Sequence, residues 1–312
     1  ESGGKRNYTW RASNVPALPA ESQLPPEWTF LPGVAYFAGD VTQYLAGLKE
    51  IMLDRSSRNS KAAEVAKRLV ANAKDRIAGV KAIRDYVAKN ISHAGPSFLE
   101  LPLSELSAAD TTLNDGYGHM ADRAILLHAM LKAAGYAPEL VLASDLPPVA
   151  GITNMLLSFP MPQNFQSALV RVRLDGTPYY LNDTDQYAEL GTTPNDGHLA
   201  LSLETRSFEI VQAAGNFRDR SEVDYSMALS DSGKTRLSIT HRFFGTAFNA
   251  KNRYFSELPP EERKRYFQEL VSRIAQGAQP VGDLVTRFDA YPGSEQFTVE
   301  VDHYSVVDGK YA

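Results

Sequence analysis

The chain has no cysteine. That one absence excludes disulfides, thiolate-ligated zinc and a cysteine nucleophile, and it fits any redox compartment. No apolar run reaches the ~18 residues that suggest a membrane-spanning helix, and no apolar signal core opens the chain. Positive charge is not in excess. The formal net charge is −5, which gives no reason to expect nucleic acid or an anionic membrane as partner. Internal repeats and low-complexity tracts are missing as well. What is present is an ordinary globular composition, 43% hydrophobic and 22% charged over 312 residues. That length allows two or three domains. The polar start Glu1-Ser-Gly-Gly and the stop just after an Asp308-Gly309 turn signal read as the cut ends of a longer protein.

Residues 1–40 are rich in proline, serine, glycine and aromatics, among them Tyr8, Trp10, Pro16, Pro19, Pro25, Pro26 and Trp28. They read as an extended strand and a wrapping loop, not as a domain. Asp40 is a good helix cap, and Val41, Tyr44, Leu45, Leu48 and Met52 follow at helical spacing. Further helices are predicted near 60–73 and 76–89, the latter with Ile77, Val80, Ile83 and Val87 inward. The stretch GYGHMADRAILLHAM, residues 116–130, predicts an amphipathic helix that Gly135 ends and Pro138 keeps from restarting. A short strand at 139–143 and a packed loop at 144–165 come next. Residues 168–174 alternate, Asp175-Gly176 turns and 178–181 returns, the clearest hairpin in the chain. From about 206 the pattern is strands, at 222–229, 235–243 and 296–301. One helix interrupts them, opening at Pro259-Pro260 and closing at Gly277.

A helix that opens on a glycine turn is a mount for a nucleophile. Its free N–H groups and dipole favour an anion. A thiol placed there needs an imidazole base from a neighbouring strand and a carboxylate or amide to orient that base. The glycines and Asp122 of such a site are present, but the position of the nucleophile holds Met120.

In this frame the chain resembles the bacterial transglutaminase-like superfamily, whose core is papain-like. It is most similar to large proteins in which that core lies between two β-rich domains. The carrying residues are Gly116-Tyr117-Gly118-His119-Met120-Ala121-Asp122-Arg123-Ala124 with Ile125-Leu126-Leu127 and Ala134-Gly135, then Phe165-Gln166-Ser167 opening a strand, then Leu181-Asn182-Asp183-Thr184 after the hairpin. The resemblance implies an α+β fold, a helical lobe on an antiparallel sheet, followed by an antiparallel β domain with one helix. It implies residues 1–40 as the tail of an N-terminal flanking domain, 41–205 as the core and 206–312 as the C-terminal domain. It places Met120 where the family has its cysteine, Ser167 where it has its histidine and Asn182 where it has its aspartate. Methionine has no ionisable proton and serine cannot accept one near neutral pH as imidazole does. Because a triad acts as a unit, its second and third losses follow easily from the first.

The expectation is therefore a catalytically inactive protein with a binding or scaffolding role. Its binding cleft would be formed by His119, Met120, Phe165, Ser167, Asn182 and Asp183. The competing expectation is a peptidase or amidase that works through His119 with Asp122, or through Ser167 with an unseen partner. A third is a spacer between flanking domains. His119, Asp115 and Asp122 have the residue types of a metal site, but nothing else in the chain adds ligands. His119 is read as a solvated residue at a helix start, and no metal or cofactor is expected. His93 suits a helix end, His128 reads as a packed histidine, and His198, His241 and His303 are scattered without a role. The expected partner is a protein, a peptide or a cell-envelope polymer. By resemblance alone the location is periplasmic or extracellular.

Overall fold

The computed structural model describes residues 7–15, 17, 31, 34, 36, 39–302 and 304. The prolines and Trp28 between 18 and 30, Pro16, His303 and the Asp308-Gly309 turn lie outside these. Residues 7–13 form neither helix nor strand.

The first lobe is helical. Asp40 caps α1 (Val41–Ser57) by accepting from the Thr42 and Gln43 N–H groups. Then come α2 (Ser60–Val70), α3 (Arg76–Asn90) and α4 (Ala109–Asp115). Asn59 makes no capping bond to α2. Asp110 does so from α4, accepting from the Lys61 and Ala62 N–H groups at 3.1 and 2.9 Å. On α3, Val80, Ile83 and Val87 are fully buried, whereas Ile77, expected inward, is 43% exposed in the first turn.

These helices surround α5 (Met120–Ala133). The helix is not amphipathic. From Ala121 to Leu131 every residue except Arg123 is buried, because α1, α2, α3 and α4 cover it on one side and the sheet covers it on the other. A helix buried on nearly every side belongs in a core. Leu126 and Leu127 are each worth roughly 1.5–3 kcal/mol on burial. Gly135, at φ 82°, stops α5 as predicted.

The sheet is antiparallel throughout. Strands β3 (Pro138–Ala143), β4 (Ser167–Leu174), β5 (Thr177–Leu181), β6 (Leu199–Ser202) and β7 (Ser207–Ile210) stand in the order β5-β4-β3-β6-β7. Asp175 and Gly176 take φ of 49° and 81°, the left-handed pair that a two-residue hairpin needs. Leu140, Leu142, Val170 and Leu181 meet the helices, while Val141, Ala143, Leu169 and Tyr180 form a smaller cluster on the opposite face. The loop expected at 144–165 contains a helix, α6 (Ala150–Ser158), whose Ile152 and Leu156 turn inward four residues apart.

β7 corrects the expected boundary at 206. Leu199↔Ile210 and Ser202↔Ser207 pair it with β6, so the first sheet runs on to residue 210. The second sheet follows. Strands β8 (Ser221–Leu229), β9 (Thr235–Phe243) and β12 (Gly293–Val301) form its body, with β10 (Gln279–Pro280) and β11 (Val285–Arg287) both paired to β12. Helix α8 (Pro260–Ile274) lays Phe267, Leu270, Val271 and Ile274 on Leu237, Ile239, Phe297 and Val299. The sequence predicted one helix here, and there are two. α7 (Gly245–Glu257) precedes α8. Its first turn carries no local cap. Asp219 supplies one from 27 residues away, accepting from the Thr246 N–H at 2.6 Å and the Thr246 hydroxyl at 2.7 Å. α7 also bonds to the connection between β5 and β6. Asn249 Nδ2 donates to Thr192 Oγ1 and Asn252 Nδ2 to the Tyr187 carbonyl, at 2.8 and 2.7 Å.

Candidate functional site

The site is built where α5 begins. α4 ends on Gly116 at φ 71°, in the left-handed region. Tyr117 and Gly118 then form the two-residue strand β2, which runs parallel to β1 (Ser92–His93). The Ser92 and Ala94 N–H groups donate to the Gly116 and Gly118 carbonyls at 2.8 and 3.0 Å. Gly118 cannot carry a side chain without movement. A Cβ there would lie 2.8 Å from Asp122 Cβ and 3.2 Å from Thr112 Cγ2.

His119 is the cap of α5 and is buried at 6% exposure, not solvated as expected from the sequence. Its Nδ1 accepts from the Asp122 N–H at 3.3 Å, and its Nε2 stands 3.3 Å from Asp122 Oδ2. That arrangement places the ring proton on Nε2. Burial holds the imidazole pKa below the ordinary histidine value. The nearby His93 adds to the drop, and Asp122 opposes it. Asp122 is itself held, because its Oδ1 accepts from the Ser107 N–H at 2.7 Å. The pair thus fixes the start of the helix. Asp115 is exposed at the end of α4, and among the described residues no group of three His, Cys, Asp or Glu is placed to hold a metal ion.

Met120 and Ser167 face a common groove of about 250 Å³. His93, Gly95, Pro96, Ser97, Phe98 and Gln166 complete its lining. His93 is the residue that the sequence did not place there. The short β1–β2 pairing carries it beside Gly118, so the groove holds an imidazole, two serine hydroxyls and a thioether.

Asn182 lies beneath, 4% exposed. Its Nδ2 donates to the Met120 carbonyl and to the Ala168 carbonyl, both at 2.8 Å. Two carbonyl partners require a donor, so the amide orientation follows from chemistry. The side chain clasps the start of α5 to the start of β4, and its Oδ1 is buried without a partner. The positions 120, 167 and 182 therefore converge.

The other expected cleft residues lie elsewhere. Phe165 is 1% exposed and packs on Phe208, and it lines a separate cavity with Val41, Leu45 and Leu201. Asp183 turns from the groove toward a cavity of about 490 Å³ lined also by Asp185, Asn249, Arg253 and Tyr254. Asp183 Oδ2 accepts from Thr193 Oγ1 and from Asn195 Nδ2. Burial raises the Asp183 carboxyl above the usual range against those bonds and the nearby Arg84.

Residues 63–152 match the model of the transglutaminase-like superfamily. The match covers 90 of the 312 residues. It contains Met120 and stops short of Ser167 and Asn182, so the correspondence of those two rests on motif order and on their convergence with Met120. Comparison with curated proteins finds no match. Among solved structures, the chain is similar to a "putative protease" from Parabacteroides distasonis, with 14% identity and a TM-score of 0.44 over 83% of this chain and 52% of that one. The chain thus spans about half the length of that protein.

Proposed function

We propose that the transglutaminase-like core is catalytically inactive and that the groove at Met120 is a binding surface. One observation carries the reading. Asn182 bonds the Met120 and Ala168 carbonyls beside the groove that Met120 and Ser167 line, and the three positions that the family resemblance equates with a thiol, an imidazole and a carboxylate hold a thioether, a hydroxyl and an amide. A thioether has no proton to lose and attacks acyl carbons poorly. The amide holds two strands of backbone together and orients no base. The surrounding frame of Gly116, Gly118, His119 and Asp122 is accounted for by packing alone, since each residue shapes the turn into a core helix. The groove, lined by small polar groups, proline, phenylalanine and methionine, suits an extended peptide or a cell-envelope polymer in a periplasmic or extracellular setting.

Isothermal titration with peptide and cell-wall glycan libraries tests the reading. Binding that Met120→Lys abolishes, with no turnover of the bound peptide, is the expected result. Turnover that Ser167→Ala or His93→Ala removes would overturn the inactive reading. It would favour a second one, in which His93 serves as base to Ser167. The observation behind this alternative is that both side chains open into the same groove.

A further inference from the structure

On the second sheet, away from the groove, three polar side chains stand in line across adjacent strands. Ser221 Oγ on β8 is 2.6 Å from His241 Nε2 on β9. His241 Nδ1 is 3.5 Å from Glu295 Oε1 on β12. The register places His241 directly opposite Glu295. We propose that Ser221, His241 and Glu295 form an acyl-transfer site for carboxylic esters.

Burial is graded as this chemistry requires. Ser221 is exposed, the His241 side chain is 28% exposed and the Glu295 side chain is 5% exposed. The nucleophile is open to substrate, the base is partly sheltered, and the carboxylate is dry. The carboxylate is also oriented. Tyr266 donates its hydroxyl to Glu295 Oε2 at 2.7 Å, and Lys251 Nζ donates to the Tyr266 oxygen at 2.6 Å. Oε1 is thereby left for the imidazole. The Phe243 ring lies 4.0 Å from the imidazole between centroids and fixes its plane. With Nδ1–H turned to Glu295, Nε2 is the acceptor that the Ser221 proton needs. The 3.5 Å separation is longer than a formed hydrogen bond, and such catalytic contacts often tighten only when substrate binds.

β8 is the outer strand of its sheet among the described residues. The Phe244 N–H donates to the Arg220 carbonyl. The alternation of an antiparallel ladder then turns the Ser221 N–H outward, free to donate to an oxyanion. A single such donor in an open site suits an ester, whose alkoxide leaves readily, better than an amide. In the reaction, Oγ bonds to the acyl carbon while its proton passes to His241 Nε2. The tetrahedral oxyanion collapses, the C–O bond to the leaving alcohol breaks, and Nε2 returns the proton to that alcohol. Water then repeats the sequence, releasing the acid and freeing Ser221. Glu295 is a positioning residue and touches no reacting atom.

Diisopropyl fluorophosphate tests the site directly, since Oγ–P formation with loss of fluoride needs the same activated hydroxyl. The label should map to Ser221. It should vanish in Ser221→Ala, whose melting curve stays that of the parent because the position is exposed. In His241→Ala, labelling should slow ~100-fold, the low end of general-base effects, and added imidazole should recover part of the rate. Glu295→Gln should slow labelling, and Glu295→Asp should retain part of it. Hydrolysis of p-nitrophenyl acetate should follow the same order. An unlabelled Ser221, or equal labelling rates in the parent and His241→Ala, overturns the proposal. A label on Ser167 instead would overturn it too, and would separately count against the inactive reading of the groove.

Discussion

Replacing Asn182 with aspartate restores the residue that the transglutaminase frame leads one to expect, yet the protein should lose stability. The Nδ2 group makes two hydrogen bonds, to the Met120 and Ala168 carbonyls at 2.8 Å each, in a buried setting. An ionised carboxylate would face both carbonyl oxygens with nothing to donate. Losing two bonds costs about 2 kcal/mol, and the unsatisfied charge adds roughly 1–3 kcal/mol. The side chain escapes part of this by protonation, because a neutral carboxyl can donate to one of the two carbonyls. Its folded pKa must therefore rise above the unfolded ~3.9. A raised carboxyl pKa gives stability that is fully present below the unfolded value and lost as pH rises through the folded one. Relative to the parent, Asn182→Asp should be destabilised by ~3–4 kcal/mol at pH 7 and by only ~1–2 kcal/mol near pH 4. Urea unfolding of both proteins at each pH, followed by circular dichroism, measures the gap. A gap that is absent at pH 7, or that widens toward pH 4, would refute the clasp.

Two further expectations concern the core around this site. His128 accepts or donates a 2.7 Å hydrogen bond with Ser56, and burial, with Lys132 adding to it, pushes its pKa down to about 4. A depressed histidine contributes stability above its unfolded pKa and loses it as pH falls. The parent should shed roughly 2–3 kcal/mol between pH 6.5 and 4, a slope that His128→Gln should flatten. An equal acid slope in both proteins, measured by thermal melts across that window, counts against this assignment. Gly118→Ala forces a Cβ to 2.8 Å from Asp122 Cβ and should cost ~1–3 kcal/mol as overpacking. An unchanged melting temperature would mean that the turn into α5 yields more easily than its packing implies.

Much of the fold is written locally. The Asp40 cap, the Asp175-Gly176 turn and the Gly135 stop all act within a few residues, and each lies where the sequence predicts. What escaped depends on distant partners. α7 is capped by Asp219 from 27 residues away, so its start carries no signal of its own, whereas α2, which Asp110 caps, lies where its helical spacing predicts. β7 looks like the first strand of the following region, and only its register with β6 assigns it to the first sheet. The same holds for the site. Met120, Ser167 and Asn182 could be picked out because motif order brings them together. His93 enters the groove through a two-residue parallel pairing with no periodicity of its own. His119 is polar and sits at a helix start, which suggests solvent, yet the fold buries it against Asp122. The line from Ser221 to Glu295 crosses three strands and appears only once their registers are known.

On the proposed reading, the frame at α5 keeps the shape of a thiol site and lacks only its reacting groups. Alkylation by iodoacetamide across pH, compared between Met120→Cys and the double change Met120→Cys with Ser167→His, tests this most directly. Asn182 is kept in both, since its Oδ1 is buried without a partner and has an acceptor to offer a new imidazole N–H. The single variant should titrate somewhat below the ordinary thiol value of ~8.5, since the helix start favours a thiolate, and the double variant should titrate lower still and keep reacting well below pH 7, as a thiolate paired with imidazolium does. Identical profiles for the two proteins would contradict that reading.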